Sequence, residues 1–238
     1  MRNALYIAAK ELRSYFVSPV AYVIVALWLV ASGFFFYASL TFTNEATLRD
    51  VFGVTPVLLL LIAPALTMRL LAEESRTGTL ELLLTAPVQD WSVVLGKFLG
   101  ALGLYLAMTG LTLFYPLLLI LFGGNPDWGP IWSGYLGLVL LGMAFLSVGL
   151  FASALTSNQM VSAVIGFVIL LILFIIGQLA QNVGAGISDF LSRLSISDRF
   201  DPFPRGLIDL ADVIFYISFT AVVLFITVQV VEARRYRA

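Results

Sequence analysis

Six runs of this chain are each apolar enough, and close to the length needed, to cross a bilayer as one helix. They lie at about Val20–Leu40, Val54–Leu71, Phe98–Phe122, Ile131–Leu155, Met160–Gln181 and Val213–Val231. About 20 residues at the helical rise match the hydrocarbon thickness. In lipid no water pairs with exposed backbone groups, so a run of this kind is restricted to a helix that satisfies its own N–H and C=O groups. Composition points the same way: 61% of the residues are hydrophobic and 11% are charged, where soluble domains carry roughly 25% charged residues. The hydrophobicity covers whole helices rather than stripes, which excludes a soluble bundle. The sequence therefore predicts an all-α integral membrane protein with one six-span domain over residues 1–238.

The chain has no cysteine and no histidine. Disulfides, thiolate nucleophiles, haem ligation, histidine-based metal sites and a histidine pH switch are excluded together. A net charge of −1 offers no footprint for nucleic acid. The first 19 residues contain Arg2, Lys10, Glu11 and Arg13, and lack the clean apolar core of a cleavable signal peptide.

Lys and Arg set the expected orientation, because they accumulate in cytoplasmic connections. One side receives Arg2, Lys10, Arg13, Arg69, Arg76, Lys97, Arg234, Arg235 and Arg237; the other receives Arg49, Arg193, Arg199 and Arg205. The first side is expected to face the cytoplasm, with both termini there. Eight of the fourteen acidic residues fall on the opposite side.

Three pieces do not span. Residues 1–19 read as an amphipathic interfacial helix, with Leu5, Ala8, Leu12 and Phe16 on one face and Asn3, Lys10 and Ser14 on another. Pro19 is expected to break the path into the first span. The alternative is a plain tail. Residues 73–92 form a charged, amphipathic cytoplasmic segment between two apolar runs. Gly78 suits a left-handed break and Thr79 a cap. Pro87 ends the short helix near Ala86. Asp90 or Ser92 is expected to cap the next helix. Residues 182–212 mix Phe190, Phe200, Phe203 and Leu207 with charges and Pro202 and Pro204. They read either as short helices dipping into the outer interface or as a cap packed on the bundle.

No nucleotide-binding loop is present, since Gly96-Lys97 lacks the earlier glycine and is followed by Phe98. Asp198, Asp201, Asp209 and Asp212 could suggest a cation site, but Arg193, Arg199 and Arg205 interleave with them, which favours ion pairing. The span interiors carry almost no ionisable side chains, against a proton- or sodium-coupled carrier. Gly96-xxx-Gly100 has the spacing of a close helix approach, and the third and fifth spans are both candidate dimer interfaces. Without histidine, cysteine or paired intramembrane carboxylates, an enzyme is not expected: there is no catalytic, cofactor or metal site to assign. The chain shows no energy source of its own, which fits a subunit driven by a partner.

The segment Glu73-Glu74-x-Arg76-x-Gly78-Thr79-x-Glu81-x-Leu83-x-x-x-Pro87, followed by Gly96-Lys97 opening a span, resembles the signature of ABC-2 type transporter permeases. The stretch Phe203-x-Arg205-Gly206-x-Ile208-Asp209-x-x-Asp212-x-x-x-Tyr216 is similar to the outer segment of the gliding-motility (GldF-like) and nitrous-oxide-reductase-maturation (NosY-like) branch. Arg199 departs from the histidine common there. The resemblance covers nearly the whole chain and implies several things. The fold would be a type V exporter-like transmembrane domain with an N-terminal interfacial connecting helix and short extracytoplasmic re-entrant helices at 182–212. A dimer, with a second copy or a similar permease, would carry two ABC ATPase subunits in the plasma (inner) membrane, and those partners would bind ATP and Mg. Glu73, Glu74, Arg76, Gly78, Thr79, Glu81, Leu82 and Pro87 would form the ATPase-coupling segment. Phe203, Arg205, Gly206, Asp209 and Asp212 would belong to an extracytoplasmic gate. An accessory protein of the gliding (GldG-like) type is a further implied partner. The work done would be transport, in the export direction; separately, spans without a polar pocket point to an amphipathic substrate such as lipid, glycolipid or peptide. The alternative is a non-transporting scaffold that couples the ATPase to extracytoplasmic proteins.

Overall fold

The computed structural model describes residues 2–43, 47–78, 89–121, 123–180 and 195–235. Those residues are helical nearly throughout, with no strand among them. Helix α1 covers Arg2–Val17, α2 Pro19–Thr43, α3 Arg49–Thr67, α4 Ala72–Thr77, α5 Asp90–Leu111, α6 Phe114–Leu121, α7 Trp128–Leu155, α8 Gln159–Ala180 and α9 Leu210–Arg235, with a 3-10 turn at Phe203–Arg205. Six helical stretches are long and apolar enough to cross a membrane: α2, α3 with α4, α5 with α6, α7, α8 and α9. With six such stretches among the described residues, α1 and the last turns of α9 fall at the same end of the bundle, the terminal side.

Helix α7 is the centre. In its most apolar window 78% of the residues are buried inside the protein, against 22% for α8, although α8 is the more hydropathic of the two. Hydropathy marks contact with lipid as readily as contact with protein; close protein packing in a membrane is marked instead by small residues. Helix α7 has them where its neighbours arrive. Gly134 lies against the Phe52 ring of α3, Gly142 against the Tyr105 ring of α5, and Gly149 against Thr67 of α3. At Gly137 a Cβ would fall 2.7 Å from Phe203 Cβ. Tyr105, which fills one of these gaps, also satisfies its hydroxyl by donating to the Leu138 carbonyl at 2.8 Å; on α7 itself, the Tyr135 hydroxyl meets Thr112 at 3.1 Å.

Several boundaries differ from the sequence expectation. The second span begins at Arg49, five residues early, because the polar start is accommodated where Asp50 accepts from Ser39 at 2.7 Å. The third span begins at Asp90 rather than 98 and breaks after Leu111, where the Thr112 hydroxyl bonds the Thr109 carbonyl at 2.7 Å. Neither Asp90 nor Ser92 is the cap: Gln89 holds that position without a side-chain bond, and Asp90 sits in the first turn, where its charge suits the helix dipole. Pro19 does not interrupt the chain for long, since it is the first residue of α2, a position where its fixed φ and missing N–H cost nothing. Helix α8 starts on a cap the sequence reading passed over: Asn158 Oδ1 accepts from Met160 N at 2.9 Å.

Helix α1 is not a tail; it packs along the first turns of α5. The glycines there are the reason. A Cβ on Gly96 would meet Ile7 Cβ at 2.6 Å, and one on Gly100 would meet Glu11 Cβ at 2.6 Å. The Gly96-xxx-Gly100 spacing is thus a close helix approach, made within the chain. The face turned to α5 is Ala4, Ile7, Ala8, Glu11 and Leu12. Of the expected apolar face, Ala8 and Leu12 meet α5, while Leu5 and Phe16 are 63% and 50% exposed. They lie about 100° around the helix, on the flank available to lipid.

Candidate functional site

On the terminal side, three helices, α1, α4 and α5, meet at a buried lysine. The Lys97 side chain is 2% exposed, and its ammonium sits 2.9 Å from Glu11 Oε1 of α1 and 2.7 Å from Glu74 Oε1 of α4. A buried ammonium is tolerated only when paired and hydrogen-bonded; here two carboxylates from two different helices supply that. Lys97 reaches them because Gly96 and Gly100 let α1 lie directly on α5.

A second pair completes the rim. Arg69 donates to Glu73 across one helical turn through Nε at 2.9 Å and Nη2 at 3.4 Å, and its Nη1 reaches Ser18 Oγ at 3.5 Å. The Tyr15 hydroxyl donates to the Leu66 carbonyl at 2.7 Å. Burial, and then the adjacent Glu11 carboxylate, push that phenol far above its ordinary range, so it remains a donor. These groups line a cavity of about 250 Å³ between α1, the end of α3 and the start of α5.

The turn between α3 and α4 is fastened separately. Ser153 of α7 accepts from Leu71 N and Ala72 N, both at 3.0 Å, and donates to the Met68 carbonyl at 3.1 Å. One hydroxyl, wholly buried, thereby satisfies three backbone groups that the helix break sets free. Helix α4 then ends at Gly78, whose φ of +71° closes it in the left-handed region, as expected for a C-terminal glycine.

The expected coupling residues divide accordingly. Glu73 and Glu74 are tied into the junction. Arg76 is exposed and borders a cavity of about 390 Å³ with Ser157 and Asn158. Gly78 is the last residue before 79–88, and Thr79, Glu81, Leu82 and Pro87 lie outside the described residues.

The opposite end is built differently. Residues 182–194 lie outside the described residues; 195–209 fold as turns and the 3-10 turn rather than as an α-helix. They pack as a cap. Ile196, Phe200, Phe203 and Tyr216 are all at most 1% exposed. Ser133 donates to the Phe203 carbonyl and Tyr216 to the Ile196 carbonyl, each at 2.7 Å. Gly206 turns the chain at φ +88°. Asp212 is buried and pairs with Arg199 at 2.8 Å, while the Arg199 guanidinium lies 4.1 Å over the Phe215 ring. Arg205 and Asp209 are exposed, and Asp209 accepts from Ala211 N at 2.9 Å. Among the described residues no cluster of carboxylates is arranged to hold a metal.

The sequence model of the ABC-2 family transporter proteins matches residues 5–232, almost the full length. The chain belongs to that family. No curated protein matches it. As an ABC-2 family protein it is a multi-pass permease subunit of an ABC transporter, a class that works with an ABC ATPase. The junction residues that sequence reasoning passed over are Glu11, Tyr15, Arg69 and Ser153. Lys97 was visible as a charge between glycines, but its two partners lie 86 and 23 positions away.

Proposed function

We propose that this ABC-2 permease transmits the ATP-driven motion of two cytoplasmic ATPase chains, which bind ATP and Mg, through α4 and residues 79–88 to its spans. The carrying observation is the bridge from Lys97 to both Glu11 and Glu74. A push on α4 reaches α1 and α5 through charges rather than through backbone alone. Ser153 holds the α3–α4 turn to the central helix, so α4 is loaded from two sides. Under this reading the terminal side is cytoplasmic, in the plasma (inner) membrane, and the chain works as a dimer with a second copy or a similar permease. Glu73, Glu74, Arg76, Gly78, Thr79, Glu81, Leu82 and Pro87 contact or position the ATPase. Phe203, Arg205, Gly206, Asp209 and Asp212 belong to the outer gate. The work is export of an amphipathic substrate, driven by rocking between two packings of the spans.

The test is co-purification of the tagged chain from its native cell in mild detergent, with an ATPase assay on the eluate. A cassette ATPase should co-purify. Glu81→Ala or Gly78→Pro should uncouple hydrolysis from transport while leaving membrane insertion intact; proline cannot adopt the positive φ of Gly78. Elution of the chain alone, or full transport by both variants, overturns the proposal.

A second reading is a force-transmitting scaffold of the gliding-motility (GldF-like) branch, with a GldG-like accessory protein outside. What favours it is a groove of about 220 Å³ between α7, α8 and α9, lined only by apolar side chains such as Phe151, Ile169 and Phe219, which suits a packed helix better than polar cargo. Co-purification of an extracytoplasmic companion, with no stimulation of ATPase by any amphipathic substrate, would select it.

A further inference from the structure

Next to the Lys97 cavity, and sharing Lys10, Ser14, Ser18 and Arg69 with it, lies an open trough of about 500 Å³ that also takes in Arg13 and Val17. Its charges do not cancel. Lys97 is held by Glu11 and Glu74, and Arg69 by Glu73. Lys10 and Arg13 are exposed, and among the described residues neither is in an ion pair. Counting all seven groups, the four cations Lys10, Arg13, Arg69 and Lys97 exceed the three carboxylates by one. Besides Val17, the open trough is lined by three cations, Lys10, Arg13 and Arg69, and two serines, with no carboxylate.

The trough also sits at a membrane boundary. Val17 is 76% exposed at its lip. Two residues on, α2 begins, and Val20, Val23, Leu27 and Val30, all exposed, follow at three- and four-residue spacing along one face of it. A basic, hydroxyl-lined trough opening onto an apolar stripe has the two-part character of a phospholipid: phosphodiester at the trough, acyl chain along the stripe.

We propose that this trough binds one anionic phospholipid of the terminal-side leaflet. The phosphodiester is held by Lys10, Arg13 and Arg69, with Ser14 and Ser18 donating, and an acyl chain runs along Val20, Val23 and Leu27. The lipid would seat α1 at the headgroup level without touching the Lys97 bridge. The inference does not depend on the ATPase partner.

The test is native mass spectrometry of the full chain in detergent, titrated with phosphatidylglycerol, with phosphatidylcholine and with inorganic phosphate in separate arms. Phosphatidylglycerol should be retained at one per chain and preferred over phosphatidylcholine, while phosphate alone should fail to compete at equal concentration. Each basic side chain near an anionic headgroup contributes a roughly fivefold preference, so Lys10→Gln with Arg13→Gln should weaken retention by about 25-fold. Both positions are exposed, and the double variant should elute and melt like the parent in lipid-free detergent. If it does not, Ser14→Val, which keeps every charge, replaces it, with a smaller loss expected. Equal retention of the two lipids, or undiminished phosphatidylglycerol retention in the variants, overturns the proposal; so does displacement by phosphate, which would make the site one for a free anion.

Discussion

The two ends of the bundle are closed by different chemistry. On the terminal side charges hold the junction: Lys97 ties α5 to α1 and α4 through Glu11 and Glu74, and Arg69 braces the start of α4 through Glu73. On the opposite side the contacts are aromatic packing and backbone hydrogen bonds, from Phe200, Phe203, Tyr216 and Ser133. Aromatic packing is short-ranged and close to all-or-none, so a small displacement forfeits it. An ion pair falls off gradually with distance and re-forms in a new geometry as long as its charges stay close. The charged end is thus suited to moving with a partner, and the aromatic end to sealing until the whole packing changes.

The sharpest way to break that comparison is to remove the lysine. Lys97→Met leaves two partly buried carboxylates facing each other, and losing one partner of a buried pair costs about 3–5 kcal/mol. Thermal melting of the detergent-purified chain should show a large drop. Adding Glu11→Gln and Glu74→Gln should recover much of it, since neutral groups do not repel. A triple variant as unstable as Lys97→Met would mean that the methylene packing of Lys97, and not its charge, holds the junction.

Next is the approach that makes the bridge possible. Gly96→Leu places a side chain where Ile7 Cβ and the Ala4 carbonyl already lie, at 2.6 and 2.8 Å from the new Cβ. Overpacking of this kind costs about 1–3 kcal/mol, and here the relief is for α1 to lift away. The chain has no native cysteine, so an introduced pair reports position cleanly. Leu12→Cys with Gly103→Cys should cross-link in the parent background and lose most of its cross-link with Gly96→Leu. The opposite end should be unmoved, with the cap at Phe203 as resistant to proteolysis as before.

These contrasts also explain what was legible in the sequence. Six spans could be read because the bilayer demands long apolar runs, and that demand is local. Gly78 was legible as a break because only its own φ is at stake. The helix over residues 2–17 was legible, and Leu5 and Phe16 of its apolar face lie on a flank open to lipid, but Ala8 and Leu12 of the same face meet protein, together with Ala4 and Glu11. In a membrane, hydrophobicity no longer distinguishes the two surroundings. The better signal lay in the glycines of α5, which mark a backbone approach but do not say whose. The ion-pair junction was hidden for a different reason. Lys97 was counted as a loop charge because its partners are distant in sequence and only the close approach of α1 brings Glu11 within reach. Ser153 had no signal at all: a serine in an apolar helix usually bonds its own preceding turn, whereas this one caps a break in another helix.

Ser153 gives a smaller, more specific prediction. Ser153→Ala leaves Leu71 N, Ala72 N and the Met68 carbonyl without their buried partner, a loss of about 1–3 kcal/mol with almost no change in volume. Hydrogen exchange should rise in residues 68–72 and leave α9 unaffected. Protection unchanged at 68–72 would show that the turn stands without α7, and that α4 is loaded through Lys97 alone.

The smallest effect tests the one ion pair found at the opposite end among the described residues. Arg199 and Asp212 are 22% and 12% exposed at their side chains, so water screens them more than it screens Lys97. Arg199→Lys keeps the charge beside Asp212 but loses the flat guanidinium over Phe215, a contact of about 0.5–1 kcal/mol. Melting should fall slightly. If raising salt from low to high concentration lowers the melt of parent and variant by the same small amount, the pair is an adjunct to an aromatic seal. If Arg199→Lys instead destabilises the chain as much as Lys97→Met, both ends are closed by charge. The distinction between a yielding end and a sealing end would then fail.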